Sequence, residues 1–281
     1  MSEERIHRAV SEDGTEIAGR IHGQGPPLVL VPGAMGDGET IWEPMLPLLT
    51  DRFTCFALST RGRGLSGQAT EFSAERLVED VTSFVDSIGD PVYLAGWSQG
   101  ASLSLGAAQN TAAVAAVAPF EPGVLEVMSD EFMDRFMRTV SRQAELAAEG
   151  RFADAARIFV EDLVSNEDER EALTERFYEV LAPNIPVHLQ EMQALAARDP
   201  DEPSTTDPAR LATITVPVLV LYGTRSEPSS VFIGGARHIA EHVAEPHLRP
   251  MEGVGHIAPY LEPRAVAEEL SLFFAGAKVS A

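Results

Sequence analysis

The pentapeptide Gly96-Trp97-Ser98-Gln99-Gly100 lies between a short apolar run, Val92-Tyr93-Leu94-Ala95, and a small-residue helical pattern that begins at Ala101. At a strand-to-helix junction this spacing allows a turn so sharp that side chains two positions either side of the serine would collide, and it drives the serine into a strained backbone conformation. Ser98 is therefore a nucleophile candidate, set against a plain glycine-rich turn with a solvated serine. Context decides between them. Extended segments are expected at Ile6 to Val10, Glu16 to His22, Leu28 to Val31, Phe53 to Leu58, Val92 to Ala95, Val114 to Ala118, Val218 to Tyr222 and His247 to Met251, with helical patterns between most of them. The runs Leu28 to Val31, Val92 to Ala95 and Val218 to Leu221 read as strands buried on both faces, as in a parallel sheet covered by helices. The expected architecture is α/β.

The 281 residues are 44% hydrophobic, enough for a full core in one domain that carries an insertion. A formal net charge of −22 argues against nucleic acid and anionic membranes, both of which the surface would repel. Cys55 is the only cysteine, so no intramolecular disulfide or cysteine-based zinc cluster forms. Its apolar surroundings predict a buried strand residue. The segment from Met1 to Arg8 carries charges and no apolar core of a signal sequence, and no stretch is long and apolar enough to span a bilayer. A soluble, cytoplasmic protein is expected.

The strand–helix alternation stops between about Pro122 and Leu211, where the chain reads as helix after helix, including Asp130 to Ala148, Phe152 to Val164 and Glu167 to Leu181. An insertion accounts for this: residues 1–121 and 212–281 form the core and 122–211 a helical cap. The insertion leaves the sheet just past a strand end, where ligands bind in open α/β sheets, so the cap is expected to cover Ser98. Met128, Met133, Met137 and Met192 lie within it, either as core filler or as substrate lining. Asp199 to Pro208 reads as the linker back to the sheet.

A serine nucleophile needs a base late in the chain on this type of sheet. His256 fits, in the glycine-rich loop Glu252-Gly253-Val254-Gly255-His256 after the last strand and before a terminal helix from Pro259 to Leu270. The oxyanion needs two fixed backbone N–H donors. Gln99 supplies one at the start of the following helix, where the helix dipole also favours negative charge. Ala34, in the loop Pro32-Gly33-Ala34-Met35-Gly36, is the candidate for the other.

With these motifs in this order, and with Arg61-Gly62-Arg63-Gly64-Leu65-Ser66 between them, the chain resembles the α/β-hydrolase superfamily over essentially its whole length, with an implied mostly parallel eight-stranded sheet flanked by helices. Two departures stand out. Pro32-Gly33 replaces the family's usual His-Gly, which leaves the backbone donor intact. The triad acid of most members follows the seventh strand, where this chain has Ser226, with Glu227 one residue late. A carboxylate after the sixth strand, Glu121 in Phe120-Glu121-Pro122, is similar in placement to the acid of zearalenone-type lactonases. Glu121 is taken as the acid and Glu227 as the alternative.

The resemblance implies a serine hydrolase that cleaves an ester or lactone through an acyl-enzyme, with Ser98, His256 and Glu121 as triad and Ala34 and Gln99 as oxyanion donors, and with no cofactor. Met35, Trp97 and Phe120 near the strand ends suggest an apolar small-molecule substrate. The same triad also serves cofactor-free peroxidases and carbon–carbon bond hydrolases, and a ligand receptor or biosynthetic cyclase would retain the pocket. A homodimer is left open. His238-Ile239-Ala240-Glu241-His242 fits a His-x-x-Glu-His zinc pattern, but it falls on the outside of the sheet without an obvious third ligand, so no metal site is expected.

Overall fold

Eight strands form one sheet in the order β1-β2-β4-β3-β5-β6-β7-β8. They are β1 (Arg5–Val10), β2 (Glu16–Gly23), β3 (Pro27–Val31), β4 (Thr54–Ser59), β5 (Val92–Trp97), β6 (Val114–Phe120), β7 (Val218–Gly223) and β8 (Pro246–Met251), one for each expected extended segment. The computed structural model describes residues 5–199 and 201–277; Met1 to Glu4 of the N-terminal stretch and Pro200 of the linker lie outside them. β1 and β4 pair antiparallel with β2, and every other pairing is parallel. From β3 the chain crosses to β4 on one side and then returns to β5 on the other. This reversal opens a crevice at the C-terminal ends of β3 and β5, where open α/β sheets bind ligands.

The helices are α1 (Leu46–Leu49), α2 (Ala74–Ile88), α3 (Gln99–Asn110), α4 (Asp130–Ala148), α5 (Phe152–Phe159), α6 (Glu167–Ala172), α7 (Glu175–Leu181), α8 (Ile185–Ala197), α9 (Pro208–Leu211), α10 (Ser229–His242), α11 (Ala258–Leu261) and α12 (Pro263–Gly276). Side chains alternate across each strand, so Leu28 and Leu30 face one layer and Val29 and Val31 the other. The first layer packs on α1 and α12 and continues into α5 and α7, while the second packs on α2, α3 and α10. No strand occurs between β6 and β7 among the described residues. The single helix expected from Glu167 to Leu181 is two helices, because Leu173 and Thr174 adopt extended backbone and the half-buried Leu173 packs against the core. The expected terminal helix likewise breaks at Glu262, ahead of Pro263.

Helix α2 shows how sequence sets an element. Ser73 accepts the Arg76 N–H at the N-cap, Gly89 closes the end in left-handed conformation, and Leu77, Val78, Val81, Phe84 and Val85 form one buried stripe. Asp80 shares the buried surface of α2 because it has a partner. Arg61, just after β4, donates to both Asp80 oxygens at 2.7 and 2.6 Å, and its remaining terminal nitrogen reaches Asp13 at 2.8 Å and the Glu71 carbonyl at 2.9 Å. Burial pushes the Asp80 carboxyl up, and the two Arg61 bonds pull it back. The sheet edges are blunted by Arg5 and Arg8 on β1 and by Pro246, Pro250 and exposed Arg249 on β8. Cys55 is fully buried on β4, and burial pushes its thiol up to about 12. No helix among the described residues is long and apolar enough to cross a membrane.

Removing one partner of a buried ion pair strands the other. Asp80→Ala should therefore lower unfolding stability by about 3–5 kcal/mol. Urea titration read by the exposure of Cys55 to a thiol reagent checks this: the native chain should not react, and the variant should begin to react at lower urea.

Candidate active site

Ser98 joins β5 to α3 with φ 56° and ψ −119°. Its own N–H donates to the Phe120 carbonyl at 2.9 Å, and its carbonyl accepts from Ala101 and Ser102 at the start of α3. The flanking glycines permit the turn. A Cβ on Gly96 would come within 2.2 Å of the Gly100 carbonyl oxygen, and one on Gly100 within 2.3 Å of the Val31 and Pro32 oxygens. Three residues other than glycine have positive φ among the described residues: Met35, Ser98 and Glu121. All three stand where β3, β5 and β6 end.

Glu121 is fully buried, and its carboxylate is completely engaged. Oε1 accepts from the Gly223 N–H at 2.6 Å and the Ser226 hydroxyl at 2.5 Å, and Oε2 lies 2.6 Å from His256 Nδ1. Ser226 occupies the position where most members of the superfamily carry the acid, and here it hydrogen-bonds the carboxylate that comes from the neighbouring strand. Glu227 is exposed and faces a surface pocket with Arg135 and Arg170. Phe232 stacks on the His256 ring with centroids 4.2 Å apart, and Trp97 Nε1 donates to the His256 carbonyl at 2.9 Å. With Glu121 on Nδ1, the imidazole's Nε2 is the nitrogen left for proton exchange.

The histidine loop has a further support that the sequence reading missed. Glu169 Oε1 accepts the Ile257 N–H at 2.6 Å, 88 residues away in the chain. Asn166 and Glu169 form a capping box at the start of α6, a local pattern legible in Asn166-Glu167-Asp168-Glu169, but nothing local indicates the contact with Ile257. Burial pushes the Glu169 carboxyl up. The loop after β3 is held in a similar way. Asn184 Nδ2 donates to the Met35 carbonyl at 2.9 Å and to Asp37 at 3.1 Å, and Gln143 Nε2 contacts the Met35 sulfur at 3.4 Å. The N–H groups of Ala34 and Gln99 carry no hydrogen bond among the described residues, so both donors are free.

Two cavities meet at Ser98, and Ala34, Phe159 and Val164 also line both. The larger, about 550 Å³, runs under α8 and is walled largely by apolar side chains, among them Phe72, Leu103, Met128, Met133, Phe136 and Met192. The smaller, about 30 Å³, is bounded by Met35, Trp97, Phe177, Leu181 and His256. Met35 and Trp97 thus line a cavity that reaches Ser98. Phe120 lines neither cavity: strand alternation sends its ring into the core with Trp42 and Leu221, and only its carbonyl serves the Ser98 turn. Met137 is exposed. The rings of His238 and His242 are each bonded to a backbone carbonyl, of Thr206 and His238 respectively.

The chain matches the alpha/beta hydrolase family over residues 28–269. It is 34% identical over 87 residues to a pimeloyl-[acyl-carrier protein] methyl ester esterase of Methylococcus capsulatus, a match that covers 31% of this chain and 33% of that protein. The chain thus spans about a third of the length of the curated relatives it matches. Among solved structures, an alpha/beta hydrolase from Sphaerobacter thermophilus superposes with a TM-score of 0.71 at 28% identity, covering 95% of this chain and all of that one. The enol-lactonase from Burkholderia xenovorans superposes with a TM-score of 0.75 at 20% identity over 96% of this chain and all of that one, a likeness of fold. With the match spanning most of the sequence and the strand order in place, the chain belongs to the alpha/beta hydrolase family.

Proposed function

We propose that this protein hydrolyses a carboxylic ester of an apolar acid through an acyl-enzyme on Ser98. The observation that carries the reading is that Ser98 lines both cavities, His256 lines the smaller one with it, and the fully bonded Glu121 holds His256 by Nδ1 from behind. His256 Nε2 takes the Ser98 proton as the hydroxyl oxygen attacks the ester carbonyl, and the N–H groups of Ala34 and Gln99 receive the developing oxyanion. Glu121 holds the imidazole by Nδ1 and stabilises the imidazolium. The imidazolium returns its proton to the departing alkoxide, and water then releases the acid by the same steps in reverse.

The cavities divide the ester. The leaving alcohol must sit beside His256, which lines the small cavity and not the large one. A water-sized group needs about 10–15 Å³, so about 30 Å³ holds an alcohol of about two heavy atoms, the size of methanol. The acyl group then fills the large apolar cavity, under a cap formed by residues 122–211. The methyl ester named for the Methylococcus relative has an alcohol of this size. A lactone is opened by the same chemistry, but its alcohol stays tethered to the acyl group, and the division of space favours a free small alcohol.

Ser98→Ala should abolish both ester hydrolysis and labelling by a fluorophosphonate, read by intact mass; a wild type that neither turns over nor labels would overturn the hydrolase reading. Glu121→Ala should lower kcat by about a hundredfold to ten-thousandfold, with Glu227→Ala close to wild type, and the opposite ranking would move the acid to Glu227. In a series of methyl to butyl esters of one aliphatic acid, kcat/KM should fall by at least about tenfold as the alcohol outgrows the small cavity. A flat series would refute the division of the ester between the cavities.

A further inference from the structure

Arg63, His188 and Glu191 are buried together where α8 meets the loop after β4. Arg63 Nη2 donates to Glu191 Oε2 at 2.7 Å, and Gln99 Nε2 donates to the same oxygen at 3.1 Å. Arg63 Nη1 donates to Thr60 Oγ1 at 3.1 Å, and the other polar atoms of the cluster are unpaired. Glu191 Oε1, Arg63 Nε and both ring nitrogens of His188 make up four of the eight buried side-chain nitrogen and oxygen atoms that lack a hydrogen-bond partner among the described residues. Burial, aided by the Arg63 charge, pulls the His188 imidazole down to about 3, so the ring is neutral and offers one donor and one acceptor.

His188 and Glu191, three residues apart on α8, share one helix face, and both stand in the wall of the large cavity with Ser98 and Gln99. Much of that wall is methionine, leucine and phenylalanine. Buried polar atoms in native proteins are nearly always paired, and a site built to hydrogen-bond its substrate leaves such atoms for the substrate to complete. The charge of Glu191 is already met by Arg63, so its free oxygen suits an uncharged donor. A carboxylate would be repelled by it, and an ammonium would bring an unmatched charge into the wall. A hydroxyl lodged between the two side chains would donate to Glu191 Oε1 and accept from the His188 ring N–H.

We propose that His188 and Glu191 bind a neutral hydroxyl, alcoholic or phenolic, on the acyl portion of the ester, which makes the substrate a hydroxylated apolar ester. The placement on the acyl side rests on the ester-hydrolase reading, whereas recognition of the hydroxyl needs no turnover. The test therefore uses Ser98→Ala protein and calorimetric titration. The probes are matched methyl esters of alkyl and phenylalkyl acids, hydroxylated or deoxy at successive positions.

At one position the hydroxylated ester should bind at least about tenfold more tightly than its deoxy partner. Adding Glu191→Gln should invert the requirement. Arg63 and Gln99 would hold the amide oxygen where Oε2 stands, which leaves an NH2 donor in place of Oε1, so the preference should move from the hydroxyl to the keto analogue. Adding His188→Phe, which removes both ring nitrogens, should bring the hydroxyl-to-deoxy ratio towards one. An unreactive Cys55 shows that each variant is folded. Equal binding of every pair, or a ratio that survives both substitutions, would overturn the proposal and leave water as the partner of the cluster. Failure of the hydrolase reading looks different: wild type would neither turn over the esters nor take the fluorophosphonate, while the binding ratio would still stand.

Discussion

The carboxylate of Glu121 joins three parts of the molecule that are far apart in sequence. It leaves the end of β6, accepts hydrogen bonds from Gly223 and Ser226 after β7, and lies against His256 after β8. A carboxylate this deeply buried is costly unless its oxygens are fully engaged, and here each oxygen has at least one partner. Glu121 N–H also donates to the Leu221 carbonyl at 3.1 Å, so backbone and side chain together fix the separation of two strand ends. The position of the histidine depends on this junction. Phe232 on one face of the ring and Trp97 on the loop's carbonyl remove its remaining freedom.

The helices between β6 and β7 touch each of the three loops at the site through at least one polar contact. Glu169 holds the N–H of Ile257 beside His256, Asn184 holds the carbonyl of Met35 beside Ala34, and Glu191 holds the side chain of Gln99 beside Ser98. Each contact is directional, and each would leave a buried group unpaired if these helices shifted. Apolar packing alone tolerates sliding by a fraction of a side chain, whereas three hydrogen bonds to three loops do not. The helical segment and the strand ends therefore share one geometry, and the site exists only where both are docked.

This division explains which parts of the molecule could be read from sequence. Strands announce themselves through local apolar runs, and the turn around Ser98 through glycines at fixed spacing. His256 follows from its glycine-rich loop at the end of the last strand. Ser226, in place of an acid, points to the neighbouring strand end and to Glu121 as the candidate. Glu169, Asn184 and Glu191 act at separations of 88, 149 and 92 residues, and no periodicity or local motif encodes a contact of that span. Phe120 fell on the wrong side for a different reason: proximity to a strand end says nothing about which face a side chain takes, and alternation along β6 put this one in the core. The split of Glu167 to Leu181 at Leu173 is a case of tertiary packing overriding helical propensity.

The positions of backbone strain complete the same picture. Met35, Ser98 and Glu121 are the three non-glycine residues with positive φ among the described residues, and each lies at the end of one strand of the crevice. Such conformations cost on the order of 1–3 kcal/mol apiece and persist only where surrounding contacts outweigh them. Those contacts are visible: Asn184 and Gln143 on Met35, the Phe120 carbonyl on the Ser98 N–H, and the Leu221 carbonyl with Gly223 and Ser226 on Glu121. Relaxing any of the three turns would rotate away a free N–H, a hydroxyl or a carboxylate. The fold thus carries its strain at the three positions where a relaxed backbone would misdirect the groups proposed to act.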